Sequence, residues 1–298
     1  MTVDASPAAE AVWIVGPVTL DRFSDGTLVP GGGVTYAGRV AEAFGLRARV
    51  LTAAGADADL APLAAHEVLA IPARTLIFEH DFPGGHRRLR LERATGRTLS
   101  AFDVPPAWGV PSVLVLAPLL PEDINIASFL DRWPEAEVAL LAQGLQRVVE
   151  ADRTVTHLRV PAGPLLAAAR GNVSIFLSEE ETGTWSPGAL DALARGARRV
   201  VLTRGALGAR VIATGEVIEV PASPADPVDP TGAGDVFATA FILGVRAGER
   251  AAGRLAAAVA AAAVSVHGPA PLPARAAIES RLIAPEPGGD APDEGPPA

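Results

Sequence analysis

One stretch constrains this chain more than any other: Asp229-Pro230-Thr231-Gly232-Ala233-Gly234-Asp235-Val236-Phe237. Pro230, Gly232 and Gly234 interrupt any regular element, and Phe237, Phe241, Ile242 and Val245 then recur at helical spacing. A buried helix is therefore expected to begin near Gly234. Glycines at a helix start let the backbone turn its unpaired N–H groups toward one point. An anion there gains hydrogen bonds and the positive end of the helix dipole. Asp235 is out of place in that setting, since a carboxylate repels the anion such a hole attracts. It either caps the helix, as Asp often does, or addresses a hydroxyl whose proton must leave as it attacks a phosphoryl group.

Composition removes several classes of function. The 298 residues, 49% hydrophobic and 20% charged, suffice for a sizeable core in one large domain or two small ones. A net charge of -9 gives no electrostatic footprint for nucleic acid or an anionic membrane. Without cysteine there is neither a disulfide nor a thiolate metal site. All 25 basic residues are Arg. The missing lysine excludes a Walker A loop and Schiff-base chemistry, so nucleotide phosphates would have to be held by backbone N–H groups, Arg and metal. Asp4 and Glu10 stand where a secretory signal would be basic and then apolar, and a cytoplasmic location is expected. The Ala-rich stretch from Arg254 to Val266 is too short and too weakly apolar to span a membrane.

Along the chain, residues 1–10 and 284–298 read as disordered tails around a body spanning 11–283. Apolar runs at 11–16, 49–55, 113–117, 137–142, 173–177 and 199–203 read as buried strands. Helical stretches lie between several of them, one carrying Tyr36, Val40 and Phe44 until Gly45 stops it. Alternation at this spacing implies a mainly parallel sheet covered on both faces. Residues 74–93 differ: they read as a hairpin around Pro83-Gly84-Gly85 with one wet face, and His80 and His86 read as solvated. Gln143 to Arg147 follow a strand's C-terminal end, the ligand edge of an open α/β sheet.

The stretch from Asp229 to Phe237 closely resembles the signature of the ribokinase-like (PfkB) family of sugar and nucleoside kinases. Gly31-Gly32-Gly33-Val34-Thr35-Tyr36-Ala37-Gly38 resembles, more weakly, that family's first signature. The resemblance runs from about Val12 to Pro273. It implies a three-layer α/β/α kinase domain with a mainly parallel central sheet and a small β lid, inserted at about 17–36 and 73–100. It also implies ATP-dependent phosphorylation of an alcohol on a small polyol or sugar. Asp235 would be the base, and the N–H groups of Gly232, Ala233 and Gly234 the anion hole. Asp21, the backbone of Gly31, Gly32 and Gly33, Tyr36, Gln143 and Arg147 would hold the acceptor. Ser178, Thr203, Gly205, Gly208, Thr231 and His267 would hold the nucleotide. Glu181 would order Mg²⁺ through water, and Asp229 would join a monovalent-cation site suited to K⁺.

Tyr36 stands where many members have Asn, and Ser178 replaces the Asn of an Asn-x-x-Glu element ending at Glu181. The stretches at 143–147, 178–181 and 228–235 resemble the inositol-kinase-like branch, which makes myo-inositol the expected acceptor. Lids in this family pair between subunits in some members and not in others, so a homodimer is compatible with the resemblance. Another sugar or nucleoside kinase of the same family is the first alternative. A degenerate, non-catalytic ligand-binding member is the second, and ATP turnover separates it. A dinucleotide-dependent dehydrogenase rests only on Gly31 to Gly33, whose spacing is not GxGxxG.

Overall fold

The computed structural model describes residues 11–81, 88–186, 188–213 and 215–283. The expected tails 1–10 and 284–298, with Phe82, the Pro83-Gly84-Gly85 turn, His86 and Arg87, lie outside the described residues.

The chain starts in the middle of its sheet. Strand β1 (Val12–Val15) is buried along its whole length, with Val12 and Ile14 in one core and Trp13 and Val15 in another. A strand apolar on both faces belongs inside a covered parallel sheet. The chain then leaves for a small second sheet through the antiparallel pair β2 (Thr19–Phe23) and β3 (Leu28–Gly31). Helix α1 (Gly33–Ala43) returns it to β4 (Arg49–Ala54) and β5 (Glu67–Pro72). Strand β6 (Leu76–Asp81) goes back to lie parallel to β2, and β7 (Arg88–Arg93) pairs antiparallel with β6. This four-stranded sheet, in the order β3-β2-β6-β7, falls within residues 17–36 and 73–100, where the lid is expected.

From here the pattern is regular: β8 (Val113–Leu116), α2 (Ile126–Arg132) and β9 (Glu137–Leu141). A short hairpin, β10 (Arg147–Val149) and β11 (Val155–His157), was not legible in the sequence. Next come α3 (Gly163–Ala168), β12 (Val173–Ser178), α4 (Glu179–Thr182), α5 (Ala189–Gly196) and β13 (Arg199–Thr203). Strands β14 (Ala209–Ala213) and β15 (Glu216–Val220) close one edge. Three helices end the fold: α6 (Ala233–Gly244), α7 (Glu249–Val264) and α8 (Arg275–Ile283). The nine central strands run β15-β14-β13-β12-β9-β8-β1-β4-β5, and only the pairs involving β14 are antiparallel. Among the described residues no helix is long and apolar enough to cross a membrane.

Helix α6 is apolar nearly all round, which suits a helix enclosed by protein. Every residue from Asp235 to Gly244 is buried. It packs against α7 and α1, and Phe241 meets Phe176 of β12 edge to face at 5.7 Å. On the other face of the sheet, Trp13 takes Trp108 and Trp133 edge-on at 5.5 and 4.9 Å. With both faces filled, the C-terminal strand ends are where a ligand can reach the sheet. Gln143, Ser178 and Thr203 stand at or just after the ends of the adjacent strands β9, β12 and β13.

The opposite edge is held by a buried cation. Arg199, at the start of β13, donates to Glu137 at 2.8 Å, Glu249 at 3.0 Å and the Ser174 hydroxyl at 2.6 Å. Removing one partner of a buried ion pair leaves the others uncompensated and costs about 3–5 kcal/mol. Both glutamates keep some solvent contact, so the loss lies at the lower end. Arg199→Ala is expected to lower unfolding stability by about 3 kcal/mol in urea titrations. Activity of the folded fraction should stay within twofold of the parent.

Candidate active site

The expected helix start is in place. Gly232 caps α6 with a positive φ of 75°, and a Cβ there would come within 2.4 Å of the Tyr36 ring. Both conformation and packing therefore demand glycine at this position. Gly234 is different: its φ is ordinary and nothing lies within 4 Å of where its Cβ would be. Its open side faces a cleft of about 490 Å³. Of the three expected hole donors, Ala233 is a correction, because its N–H donates to the Pro230 carbonyl at 3.2 Å. The N–H groups of Gly232, Gly234 and Asp235 have no acceptor among the described residues.

Asp235 lies at the junction of two helix starts. Its Oδ1 would be 3.3 Å from a Cβ on Gly33, the first residue of α1. Gln143 donates from Nε2 to the same oxygen at 3.0 Å. Arg147 donates to the Gln143 carbonyl oxygen at 3.0 Å and to the Leu119 carbonyl at 3.0 Å. Burial pushes the Asp235 carboxyl up to about 7; Glu181 and Asp21 push the same way, while Arg147 and the Gln143 bond oppose them. Asp123, whose Oδ2 accepts from the N–H groups of Leu119 and Leu120, is raised by burial to about 6.

On the α1 side, Asp21 is buried on β2 with its Oδ2 against Gly31, and Thr19 Oγ1 lies on the same side. Gly31, Gly32 and Gly33 thus run from Asp21 to Asp235. Tyr36 is a correction: its ring is buried beneath Gly232, backing the helix start instead of facing an acceptor. His80 is another. It is 2% exposed, stacks on Phe23 with centroids 5.1 Å apart, and brings Nε2 to 3.6 Å from Asp21 Oδ1. It was misread because β6 turns this side chain inward beside β2, a pairing that local sequence does not announce.

The cleft itself is lined by Gln143, Arg147, Ser178, Glu181, Thr203, Gly232, Ala233, Gly234 and Asp235, and is walled by residues of β7 and β11. Ser178 and Glu181 form a capping box on α4: each side chain accepts from the other's N–H, at 3.2 and 2.7 Å. Ser can stand in for Asn here because either caps a helix. Thr203 is held by the Leu177 carbonyl. The remaining expected nucleotide residues do not line the cleft. Gly205 has a positive φ and an open side, whereas Gly208 is pressed against the Val220 carbonyl and serves packing. Asp229 accepts from the N–H groups of Thr231 and Gly268, and so ties two loops together beside His267. Burial pushes its carboxyl up, but these bonds outweigh burial and hold it below the usual range. The wall from β11 was missed because two three-residue strands carry no readable period.

Comparison with known proteins gives this arrangement a context. Residues 175–275 match the profile of the pfkB family of carbohydrate kinases. A cytidine kinase of Thermococcus kodakarensis is 26% identical over 260 residues, covering 79% of this chain and 88% of that protein. These matches place a pfkB-type carbohydrate-kinase region at residues 175–275 and support a kinase. A pyrophosphate-dependent kinase of the ribokinase family, solved with a pyrophosphate analog and myo-inositol, superposes with a TM-score of 0.72 at 20% identity. That match covers 90% of this chain and 99% of the other. A putative ribokinase II from E. coli, solved with ATP and Mg²⁺, gives 0.71 at 18% identity over 92% and 99%. These likenesses establish a ribokinase-like fold.

Among the described residues the chain gathers no cluster of three or more acidic or histidine side chains that would cage a metal. One Glu181 oxygen is engaged by the Ser178 N–H while the side chain lines the cleft.

The two glycines make opposite predictions. Gly234→Ala adds a methyl group only to the cleft and favours helix, so melting temperature should hold or rise slightly. Its kcat/KM should fall at least tenfold. Gly232→Ala should lower the melting temperature clearly, because both the left-handed backbone and the Tyr36 ring reject a Cβ. Differential scanning fluorimetry with steady-state kinetics on both variants checks this.

Proposed function

We propose that this kinase transfers the terminal phosphoryl group of ATP to a hydroxyl of a small polyol or sugar, with myo-inositol the foremost acceptor. The observation that carries the reading is the Asp235 carboxyl, buried between the Asp21–Gly33 floor and the free N–H groups at the start of α6. An acceptor oxygen beside Asp235 gives its proton to the carboxylate and bonds to the terminal phosphorus. The bond from phosphorus to the bridging oxygen breaks, and ADP leaves with the electron pair. The N–H groups of Gly234 and its neighbours stabilise charge on the phosphoryl oxygens. A base with a pKa near 7 suits proton transfer at neutral pH. Bound Mg²⁺ would offset the charge of the donor's phosphates.

Support for a small, hydroxyl-rich acceptor comes from the floor itself. Asp21 and Thr19 present oxygen atoms beside bare glycine backbone. Of the lid aromatics, Phe23 has one face on His80 and Phe78 has one face beneath Arg147. Less aromatic surface is therefore left to stack a nucleobase. The similarity to a cytidine kinase supports a second acceptor class, the pyrimidine nucleosides.

A coupled assay with Mg²⁺ tests both, using ATP or pyrophosphate as donor against myo-inositol, hexoses, pentoses, cytidine and adenosine. Turnover of myo-inositol with ATP is expected to lead. Cytidine winning by tenfold or more would replace the acceptor, and pyrophosphate winning would replace the donor. Asp21→Ala should raise the acceptor KM far more than the ATP KM.

Asp235→Asn should lower kcat by about 10²–10⁴-fold, the usual loss for a general base. Its stability has a defined pH sense. The carboxyl titrates higher folded than unfolded, so ionising it weakens the fold as pH rises from about 4, with the full cost above about 7. Asn should therefore melt no lower than the parent, with an advantage that grows over that window. An Asn variant with parental kcat would return Asp235 to helix capping.

A further inference from the structure

The contacts of Gln143 and Arg147 run toward Asp235 and the lid. Three hydrogen bonds form an unbroken line: the Leu119 carbonyl to Arg147, Arg147 to Gln143, and Gln143 to Asp235, each at 3.0 Å. The line fixes the Gln143 amide, whose carbonyl oxygen must face the guanidinium and whose NH₂ must face the carboxylate. It also occupies Asp235 Oδ1 and leaves Oδ2 for an incoming proton. At its far end Arg147 is held twice. Leu119 belongs to a loop pinned through its N–H by the buried Asp123, and the guanidinium lies 5.1 Å over the ring of Phe78 on lid strand β6. Phe78 and Leu119 share one small apolar cluster with Leu76 and Leu120. The lid thus rests on the residue that orients Gln143.

We propose that Gln143 and Arg147 are positioning residues for Asp235 that join it to the lid, and that they are not ligands of the acceptor. The proposal rests on Asp235 being the base. A carboxylate held by one oxygen keeps a single rotamer, and a base within hydrogen-bond reach of the hydroxyl in every bound complex has none of its rate lost to misplacement. The guanidinium's planar fork matters as much as its charge, because one flat group must donate in two directions at once. The charged groups acting on Asp235 are Arg147 from β10, Glu181 from α4 and Asp21 from β2. Helix α1 presents Gly33 beside the carboxylate and the Tyr36 ring below Gly232.

Steady-state kinetics across pH test this with myo-inositol as acceptor, or cytidine if it leads the panel. Gln143→Leu and Arg147→Met should each lower kcat about ten- to a hundredfold, while the acceptor KM stays within about threefold. Arg147→Met also removes the cation that favours ionised Asp235. The acid limb of kcat should then move to higher pH by about half a unit or more. Arg147→Lys should bring the limb back but not the rate, since an ammonium cannot replace the planar fork. The carboxyl carbon of Asp235, identified by its absence from Asp235→Asn, should titrate higher in Arg147→Met by NMR without any acceptor present.

An acceptor KM raised tenfold or more in Gln143→Leu and Arg147→Met, with kcat and the acid limb unmoved, would overturn the proposal and make both residues acceptor ligands. If Arg147→Met melts below the assay temperature, Arg147→Lys and Phe78→Leu carry the kcat and acceptor-KM readouts. Full activity in Asp235→Asn would remove the base and this proposal together. An inactive Asp235→Asn with KM-only effects elsewhere would remove this proposal alone.

Discussion

Burying one carboxylate at the start of α6 is the constraint on which the site depends. Taking Asp235 out of water raises its proton affinity toward neutrality, and a helix start with free N–H groups places it beside the proposed anion site. Neither condition alone would serve. An exposed Asp at a helix cap would be ionised and inert near its ordinary pKa, and an anion hole without a base would only bind. The surrounding structure supplies both at once. Tyr36 supports Gly232 from below, Gly33 comes up beside the carboxylate, and the free ends of β9, β12 and β13 bring up Gln143, Ser178 and Thr203. Folds commonly accept such a locally unfavourable group where chemistry needs it, and compensate for it in the core.

That core is the two-faced packing on β1 and its neighbours. Large aromatic contacts around Trp13 on one side and the α6–α7 pair on the other pack both faces of the strands that carry the site. Such packing matters because a displacement of about 1 Å can cost about two orders of magnitude in rate. Arg199 closes the far edge with a network that has no part in the cleft. Stability and chemistry are thus placed at opposite ends of the same strands.

Much of this was legible in the sequence, for identifiable reasons. The α6 start was readable because Pro230, Gly232 and Gly234 punctuate it and an apolar helix follows. The parallel sheet was readable from its unbroken apolar runs. What stayed hidden depended on partners distant in sequence. Tyr36 could be read as a hydroxyl donor until Gly232, far along the chain, was seen to sit on its ring. His80 looked solvated in an alternating hairpin, and only its pairing beside β2 turns it toward Asp21. The engagement of the Ala233 N–H by the Pro230 carbonyl is a single turn hydrogen bond, which no residue type announces. Charge alternation in β7 correctly marked a strand with one wet face, yet it gave no hint that the hairpin at 147–157 would extend that sheet toward the cleft.

The parallel pairing of β2 with β6 has a consequence for how the molecule comes together. Thr19 lies opposite Leu76, and between them the chain must complete α1, β4 and β5 of the other sheet. Strands paired over such a span return no contact energy until the loop between them has been closed, and closing it costs chain entropy first. The lid can therefore zip only onto a central sheet that already exists. Asp21 and the glycines of the proposed acceptor floor acquire their arrangement at that late stage. A newly made chain with its large sheet formed and its lid unpaired would lack that floor, and on the proposed function small-molecule binding would then mark the finished protein from the merely compact one.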